Sequence, residues 1–249
     1  MKRTILPLFL LTAFLFACNK SGTDNNDSNT GLSNSPETKS QYNNTAFGVY
    51  KGVIIGSSGT IIFRINNGDN IVKGFLSIDN QKDTLTTTAN ITLGQPLVNV
   101  LFTGRISSMR VSANANGSNA SLSNIQINGH NNVTGFIVHE NSTKQVLCYE
   151  GTFTGGASGI INATRVGLSN YDTTYILSKV QSVNDTTLYR GYGQTVNDTA
   201  RVNLYLPGGG NPQFQITGMF NTGNFNPNTF NGTWTGAYGN GQFTTHRTY

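Results

Sequence analysis

The stretch Ala200-Arg201-Val202-Asn203-Leu204-Tyr205-Leu206 alternates aliphatic residues with arginine, asparagine and tyrosine. Successive side chains of a β-strand point to opposite faces, so a period of two is typical of a strand with one buried face. The same alternation recurs at residues 61–65, 98–106 and 214–220. These segments predict half-buried strands.

Pairs of asparagine and glycine separate the alternating segments, for example at Asn116-Gly117 and Asn128-Gly129. Such pairs supply the positive φ that tight hairpins require, and turn signals recur every ~8–12 residues. No stretch shows a convincing helical period of 3.6 residues. The sequence therefore predicts an all-β fold of antiparallel up-and-down strands, arranged as a barrel or a sandwich, with almost no helix.

Glycine also occurs inside the predicted strands, as at Gly104, Gly135 and Gly218. Interior glycines weaken a strand but permit the strong coiling that small barrels need. The pattern is similar to small calycin-type barrels, such as streptavidin-like and lipocalin-like domains. The resemblance is one of architecture alone.

A short internal repeat divides the predicted strands into two sets. Residues 49–56 read Val-Tyr-Lys-Gly-Val-Ile-Ile-Gly, and residues 148–155 read Cys-Tyr-Glu-Gly-Thr-Phe-Thr-Gly. The repeat predicts two related β units, at 46–142 and 143–249, while one continuous domain is the alternative.

The N-terminal segment is built like a secretory signal. Lys2 and Arg3 precede an apolar run that is shorter than the ~20 residues needed to span a bilayer. The run ends at Leu15-Phe16-Ala17-Cys18, which resembles the lipobox of bacterial lipoproteins. This resemblance implies that residues 1–17 are removed as a signal peptide and that Cys18 is lipidated, with palmitate as a typical acyl group. An ordinary signal peptide with an incidental Cys18 is the alternative.

The segment after the lipobox is polar. Residues 18–45 contain almost no apolar side chain except Leu32, so they predict a disordered tether between a membrane and the folded body. In many Gram-negative lipoproteins, an aspartate directly after the lipidated cysteine favours retention at the inner membrane. This chain has Asn19 at that position, so the resemblance favours the outer membrane. The periplasmic and the surface face both remain open.

The charge pattern argues against a nucleic-acid partner. The formal net charge of +5 becomes +3 when Lys2 and Arg3 leave with the signal peptide (5 − 2), and only 11% of residues are charged. The other cationic residues are scattered singly, so they build no basic patch for phosphates.

The sequence offers little catalytic chemistry. Glu140 and Glu150 are the only glutamates after residue 45. If 141–144 formed a hairpin loop, Glu140 would face Gln145 and Glu150 would face Gly135. The two carboxylates would then lie roughly 17 Å apart, too far for a catalytic pair.

Metal and thiol chemistry are also poorly represented. His130, His139 and His246 lack the spacing of zinc ligands, and no cofactor is predicted. Cys148 alternates with Val146 in a strand-like run, which predicts a small buried side chain rather than a nucleophile.

Two sets of residues are candidate sites. Phe230, Trp234 and Tyr238 share one face of a predicted strand, which predicts either core packing or a platform that stacks on a sugar or an apolar ligand in a barrel mouth. The same two interpretations apply to a wider set of aromatic residues: Tyr149, Phe153, Tyr189, Tyr192 and Tyr205. The second set consists of threonines that follow an aspartate, a pattern that resembles a periplasmic O-glycosylation motif, with ordinary turn chemistry as the alternative. These threonines are Thr84, Thr173, Thr186 and Thr199.

The sequence favours a membrane-anchored lipoprotein with a non-catalytic role, either binding a small ligand or glycan or supporting the envelope. One alternative is a glycan-active hydrolase, which would require folding to bring Glu140, Glu150 and Asp172 together in a cleft. Another is a surface fibre subunit, which would require an unpaired or insertable strand near 241–249.

Overall fold

The computed structural model describes residues 32–167, 171–181, 187–221 and 228–249. These residues form sixteen antiparallel β-strands and one short 3₁₀ turn, Ser40–Tyr42. The strands belong to two barrel-like sheets of eight, so the predicted all-β, up-and-down fold is confirmed. In the described part of the chain, no helix is long and apolar enough to cross a membrane.

The first sheet runs in the order β7-β6-β5-β4-β3-β2-β1-β8. Its strands are β1 Gly48–Ile55, β2 Ser58–Ile65, β3 Val72–Ile78, β4 Gln81–Thr86, β5 Leu97–Thr103, β6 Ser107–Ala113, β7 Ser121–Ile127 and β8 Thr134–His139. The β5–β6 and β6–β7 ladders each contain a register shift, and β4 pairs with β5 through Thr86 and Thr103 alone.

The second sheet is a closed barrel in the order β10-β11-β12-β13-β14-β15-β16-β9. Its strands are β9 Val146–Gly155, β10 Gly159–Val166, β11 Tyr171–Val180, β12 Leu188–Val196, β13 Thr199–Leu204, β14 Phe214–Phe220, β15 Thr229–Gly236 and β16 Gly239–Arg247. The last strand, β16, pairs with both β15 and β9, which leaves this sheet without an edge.

Each sheet encloses its own apolar core. Alternate residues of β14 are buried, as the period of two requires, and Ile216 packs inside the second barrel with Leu204 and Val202. The first core contains Phe63, Phe102 and other side chains of the first sheet. Burying a side chain of this size contributes about 1.5–3 kcal/mol, so these two cores supply most of the drive to fold.

The sequence repeat occupies matching positions in the two sheets. Tyr50 on β1 and Tyr149 on β9 are both fully buried, one in each core. Gly52 and Gly151 both lie against the last strand of their own sheet. A Cβ atom on Gly52 would lie 1.8 Å from a backbone oxygen of β8, and one on Gly151 would lie 2.0 Å from a backbone oxygen of β16. Only glycine permits this close approach of two strands.

The two sheets pack against each other mainly through β1 of the first sheet and β9, β10 and β11 of the second. Val53, Ile55, Cys148 and Leu177 form a buried apolar cluster between them. Hydrogen bonds cross the same boundary: Asn162 Nδ2 donates to the Ile54 carbonyl at 2.8 Å. A further bond runs from Lys179 Nζ to the Gly56 carbonyl at 2.7 Å.

The segment at 32–45 differs from its prediction as the end of a disordered tether. Thr38 is buried, and its hydroxyl oxygen accepts a hydrogen bond from the Val49 amide at 2.9 Å. The Glu37 carboxylate pairs with Lys51 at 3.1 Å and with Arg64. Ion pairing to distant residues therefore orders a segment that has little apolar surface to bury. Residues 18–31, including Cys18, lie outside the described residues.

Candidate functional site

The predicted stacking residues divide between the interior and the rim of the second barrel. Phe230 and Trp234 are buried, and the Trp234 indole donates to the Thr154 carbonyl at 3.0 Å. Tyr238 is 42% exposed and stacks on Phe214 at a ring separation of 5.6 Å. Of the three residues, Tyr238 alone is exposed to solvent.

The second barrel is filled by its own side chains. The cavity beside Trp234 measures about 10 Å³, which is room for at most one water molecule. Its lining consists of Phe153, Ile161, Ser178, Leu204, Phe214, Ile216 and Trp234. This cavity therefore has no room for a ligand of ordinary size.

Glu140 is held in a buried network. Its Oε1 lies 2.7 Å from Lys51 Nζ and accepts a hydrogen bond from the Val146 amide at 3.0 Å. Its Oε2 accepts from the Glu37 amide at 2.6 Å. Both carboxylate oxygens are thus occupied by contacts that join the N-terminal segment to the two sheets.

The predicted hairpin between β8 and β9 is wrong. Gly135 pairs with Ile54 of β1, while Glu150 faces Asn162 of β10 and His246 of β16. The connection at 140–145 passes from one sheet to the other, and the bridge between Asn141 and Lys144 closes only a local turn.

Glu150 and Asp172 have separate partners. Glu150 accepts hydrogen bonds from Ser58 at 2.9 Å and from Thr60 at 2.5 Å, at the boundary between the sheets. Asp172 accepts from Nε and Nη2 of the buried Arg165 at 3.0 and 2.8 Å. Glu140, Glu150 and Asp172 therefore occupy three different sets of contacts.

The histidines and the cysteine have ordinary structural environments. Burial lowers the pKa of His139, and its Nε2 lies 2.8 Å from the Phe47 carbonyl, which can only accept a hydrogen bond. Burial raises the pKa of the Cys148 thiol to about 12, which confirms its prediction as a buried, unreactive side chain. No three of the described His, Cys, Asp or Glu residues group as metal ligands.

The three described aspartates of the candidate glycosylation motifs have structural partners, whereas Asp185 lies outside the described residues. Asp83 accepts hydrogen bonds from the amides of Arg105 and Ile106, and it holds the turn before β6. Asp198, like Asp172, pairs with Arg165, at 2.9 Å.

These contacts explain the aspartates without a glycan, and threonine modification stays a prediction. Thr84 is exposed, whereas Thr173 and Thr199 are half-buried. Thr186 lies outside the described residues.

A groove of about 430 Å³ lies on the outer face of β12, β13 and β14. This tyrosine groove is lined by Tyr192, Gly193, Arg201, Asn203, Tyr205 and Gln215. The side chain of Tyr192 is 73% exposed, although exposed aromatic rings of this size are uncommon. Because Ala200, Val202 and Leu204 face the core, the residues between them on β13 must face this groove.

A second groove of about 430 Å³ lies where the two sheets meet. This junction groove is lined by Asn43, Asn116, Gly117, Ser118, Asn119, Ala120, Phe136, Ile137, Val138, His139, Asn141 and Tyr175. Its volume, like that of the tyrosine groove, falls within the roughly 300–1,000 Å³ that is typical of small-ligand sites.

Three aromatic rings run from one groove to the other. The rings of Phe136 and Tyr175 are 4.3 Å apart, and those of Tyr175 and Tyr192 are 6.1 Å apart. Tyr175 and Tyr192 are direct partners in the β11–β12 ladder. Burial, and then the neighbouring Tyr192, raise the pKa of the Tyr175 phenol, so the Tyr175 ring stays a neutral hydrogen-bonding group near neutral pH.

Sequence reasoning included Tyr192 and Tyr205 in its wider aromatic set, but it did not predict that they share an outer surface of the barrel. The alternation of β13 was the available signal, because Arg201, Asn203 and Tyr205 lie between predicted core residues and therefore share the outer face. The approach of Phe136 to Tyr175 joins the first sheet to the second, and no local pattern indicates it.

No protein-family model, curated protein or solved structure matches this chain. The functional argument therefore rests on the geometry and chemistry of the grooves.

Proposed function

We propose that the protein is a lipid-anchored protein of the bacterial cell envelope that binds glycans without cleaving them. The tyrosine groove is the observation that carries this proposal. It is open, it is built on rigid strands, and its lining combines tyrosine rings with planar hydrogen-bonding groups.

The chemistry of the lining suits a sugar. The flat, apolar face of a Tyr192 ring can pack against the C–H face of a pyranose, while its hydroxyl remains in water. Arg201, Asn203 and Gln215 present forked donors and acceptors that can bond to pairs of neighbouring hydroxyl groups. A pocket of this size with few charges favours a polar, largely uncharged ligand.

A non-catalytic role is favoured over hydrolysis by the placement of the acids. None of Glu140, Glu150 and Asp172 lines either groove. The fibre alternative gains no support from 241–249, because β16 is hydrogen-bonded on both sides.

The anchor is part of the proposal. Lipidation of Cys18 would place the folded body at the outer membrane, and the polar residues that follow would set its reach. Palmitate labelling of the wild-type protein and of Cys18→Ser tests this part by itself: the label should appear in the first and be absent from the second. Unlabelled wild-type protein would remove the anchor and leave the binding proposal to stand or fall separately.

Affinity electrophoresis tests the binding part. The mature protein is run through native gels that contain one neutral polysaccharide each, from plant, fungal and bacterial sources, and reducing ends are measured after long incubation. We expect retardation in at least one gel and no release of reducing ends. Free migration in every gel, or steady release of reducing ends, would contradict the proposal.

A further inference from the structure

Three aromatic rings in mutual contact connect the two grooves. We infer that the grooves and these rings are a single extended binding site, which takes a glycan chain lying across both sheets rather than one isolated sugar. This inference rests on the proposed function and adds the length and placement of the ligand.

The first argument is continuity. Phe136 and Tyr175 line the junction groove, and Tyr192 lines the tyrosine groove. The ring separations of 4.3 and 6.1 Å are about those of rings in mutual contact. A chain lying on this aromatic strip, Phe136-Tyr175-Tyr192, therefore meets ring surface over its whole course.

The second argument is length. Neighbouring strands are about 4.8 Å apart, so the three steps from β11 to β14 cover roughly 14 Å. The junction groove extends the surface further, past Tyr175 and onto the first sheet. A single sugar ring would fill only a fraction of this distance.

The third argument is chemical similarity between the two ends. The polar lining of the junction groove consists mainly of amides and a hydroxyl, including Asn116, Ser118 and Asn119, and burial keeps His139 largely neutral. Arg201 is the one charged residue among the lining residues of the tyrosine groove. Repeating sugar units with many hydroxyl groups match such a repeated lining, in which Arg201 is the single charge of the tyrosine groove.

The fourth argument is rigidity. Phe136 packs against the apolar cluster that joins the two sheets, and the bonds of Asn162 and Lys179 cross the same boundary. On the junction side, Gly117 has a φ of 81°, and a Cβ there would lie 2.5 Å from His139 Nδ1. The loop therefore lies directly on β8, and a preformed groove avoids the cost of ordering on binding.

A glycan chain that binds both grooves at once should show an affinity that depends on its length. Once one part of a chain is bound, the next part binds intramolecularly, so affinity rises with chain length until both grooves are covered. A monosaccharide or disaccharide gains no such advantage.

The test uses a size ladder made by partial hydrolysis of a polysaccharide that retards the wild-type protein. Titration calorimetry with each size should show affinity that rises with length and then levels off. Tyr175→Ala, in the middle of the strip, should weaken long chains about tenfold and flatten the length dependence. Tyr175→Phe keeps the ring and should preserve the length dependence, and circular dichroism of both variants shows whether they are folded.

Asn119→Ala separates the two ends. It should weaken only the long chains, because short chains bind at the tyrosine groove, where this side chain does not reach. Equal affinity for all sizes, or long-chain affinity unchanged in both Asn119→Ala and Tyr175→Ala, would overturn the extended site while leaving glycan binding intact. If no polysaccharide retards the wild-type protein, the proposed function falls and this inference falls with it.

Discussion

The two sheets share one strand order but are closed in different ways. In the second sheet every neighbouring pair of strands is hydrogen-bonded, including β16 with β9. In the first sheet the hydrogen-bonded order ends at β7 and β8. Side chains fill that seam: a Cβ on Gly135 would lie 3.0 Å from Leu122 Cδ1 and 3.2 Å from Ile125 Cδ1.

This difference shows that two sheets with the same strand order can differ in closure. A complete ladder satisfies the backbone of the second barrel, whereas the first sheet depends on packing across its seam and on the N-terminal segment that carries Glu37. The binding surface proposed above crosses from the less regular sheet to the closed barrel. Its stability therefore depends on both.

Removing a buried cation from either sheet should lower the stability of the protein more than any other change described below. Lys51→Met removes the cation that pairs with buried Glu140, and Arg165→Met removes the cation that pairs with buried Asp172, so each should lower the free energy of unfolding by about 3–5 kcal/mol. Trp234 is the single tryptophan and lies in the second core, so its fluorescence reports that barrel, while circular dichroism reports both sheets.

In urea unfolding, Arg165→Met should shift the fluorescence transition more than Lys51→Met does. Lys73→Met, an exposed lysine of β3, is the control and should shift neither signal. Identical shifts in both signals for both buried variants would show that the sheets unfold as one unit. This result would contradict the expectation that each variant destabilises mainly its own sheet.

A matched pair of glycine variants should lower the stability of the protein by less than the loss of a buried cation does. Gly52→Ala and Gly151→Ala each force a methyl group onto a backbone oxygen, which costs about 1–3 kcal/mol as overpacking. Since β8 has one hydrogen-bonded neighbour and β16 has two, β8 can shift more easily.

Gly151→Ala should therefore lower the melting temperature more than Gly52→Ala does. Gly208→Ala, whose Cβ would meet no atom within 4 Å, should leave the melting temperature unchanged. The reverse order of the first two would mean that the closed barrel is the more adaptable sheet.

The smallest expected change in stability is the one with pH. It should arise from His139, in the first sheet. Burial holds the pKa of His139 below the usual value of about 6.5, so below that pH the unfolded chain binds more protons than the folded one. The stability that neutral His139 provides is present above pH ~6.5 and is lost as the pH falls towards the lower folded pKa.

Melting curves between pH 8 and pH 5 measure this effect. His139→Gln should flatten the decline at acid pH, whereas His246→Gln, at an exposed position of β16, should leave the decline as it is in the wild type. An unchanged decline in His139→Gln would assign the acid sensitivity to other groups.

The fold class could be predicted because alternation with a period of two is visible within the sequence of each single strand. The seam between β7 and β8 could not, because Gly135 and Leu122 meet only after the sheet has curled. The segment at 32–45 is ordered by the ion pairs of Glu37 with Lys51 and Arg64. The composition of the segment does not indicate these pairs, because both partners lie on distant strands.

The candidate site was only partly predictable. Alternation correctly places Phe230 and Trp234 on one face of β15, but the pattern leaves open whether that face is the core or the rim. Tyr192 lies on the outer face of the barrel, and its neighbour Tyr175 comes from another strand. Their contact depends on the β11–β12 register, which follows from the fold rather than from either strand alone.

The most direct test of the account compares two exposed tyrosines on the outer face of the second barrel. Tyr192 lines the tyrosine groove, and Tyr171, which is 80% exposed, lies outside it. In a gel that contains a polysaccharide that retards the wild-type protein, Tyr192→Ala should migrate freely and Tyr171→Ala should be retarded as the wild type is. Full retardation of folded Tyr192→Ala would contradict the claim that this groove binds glycan.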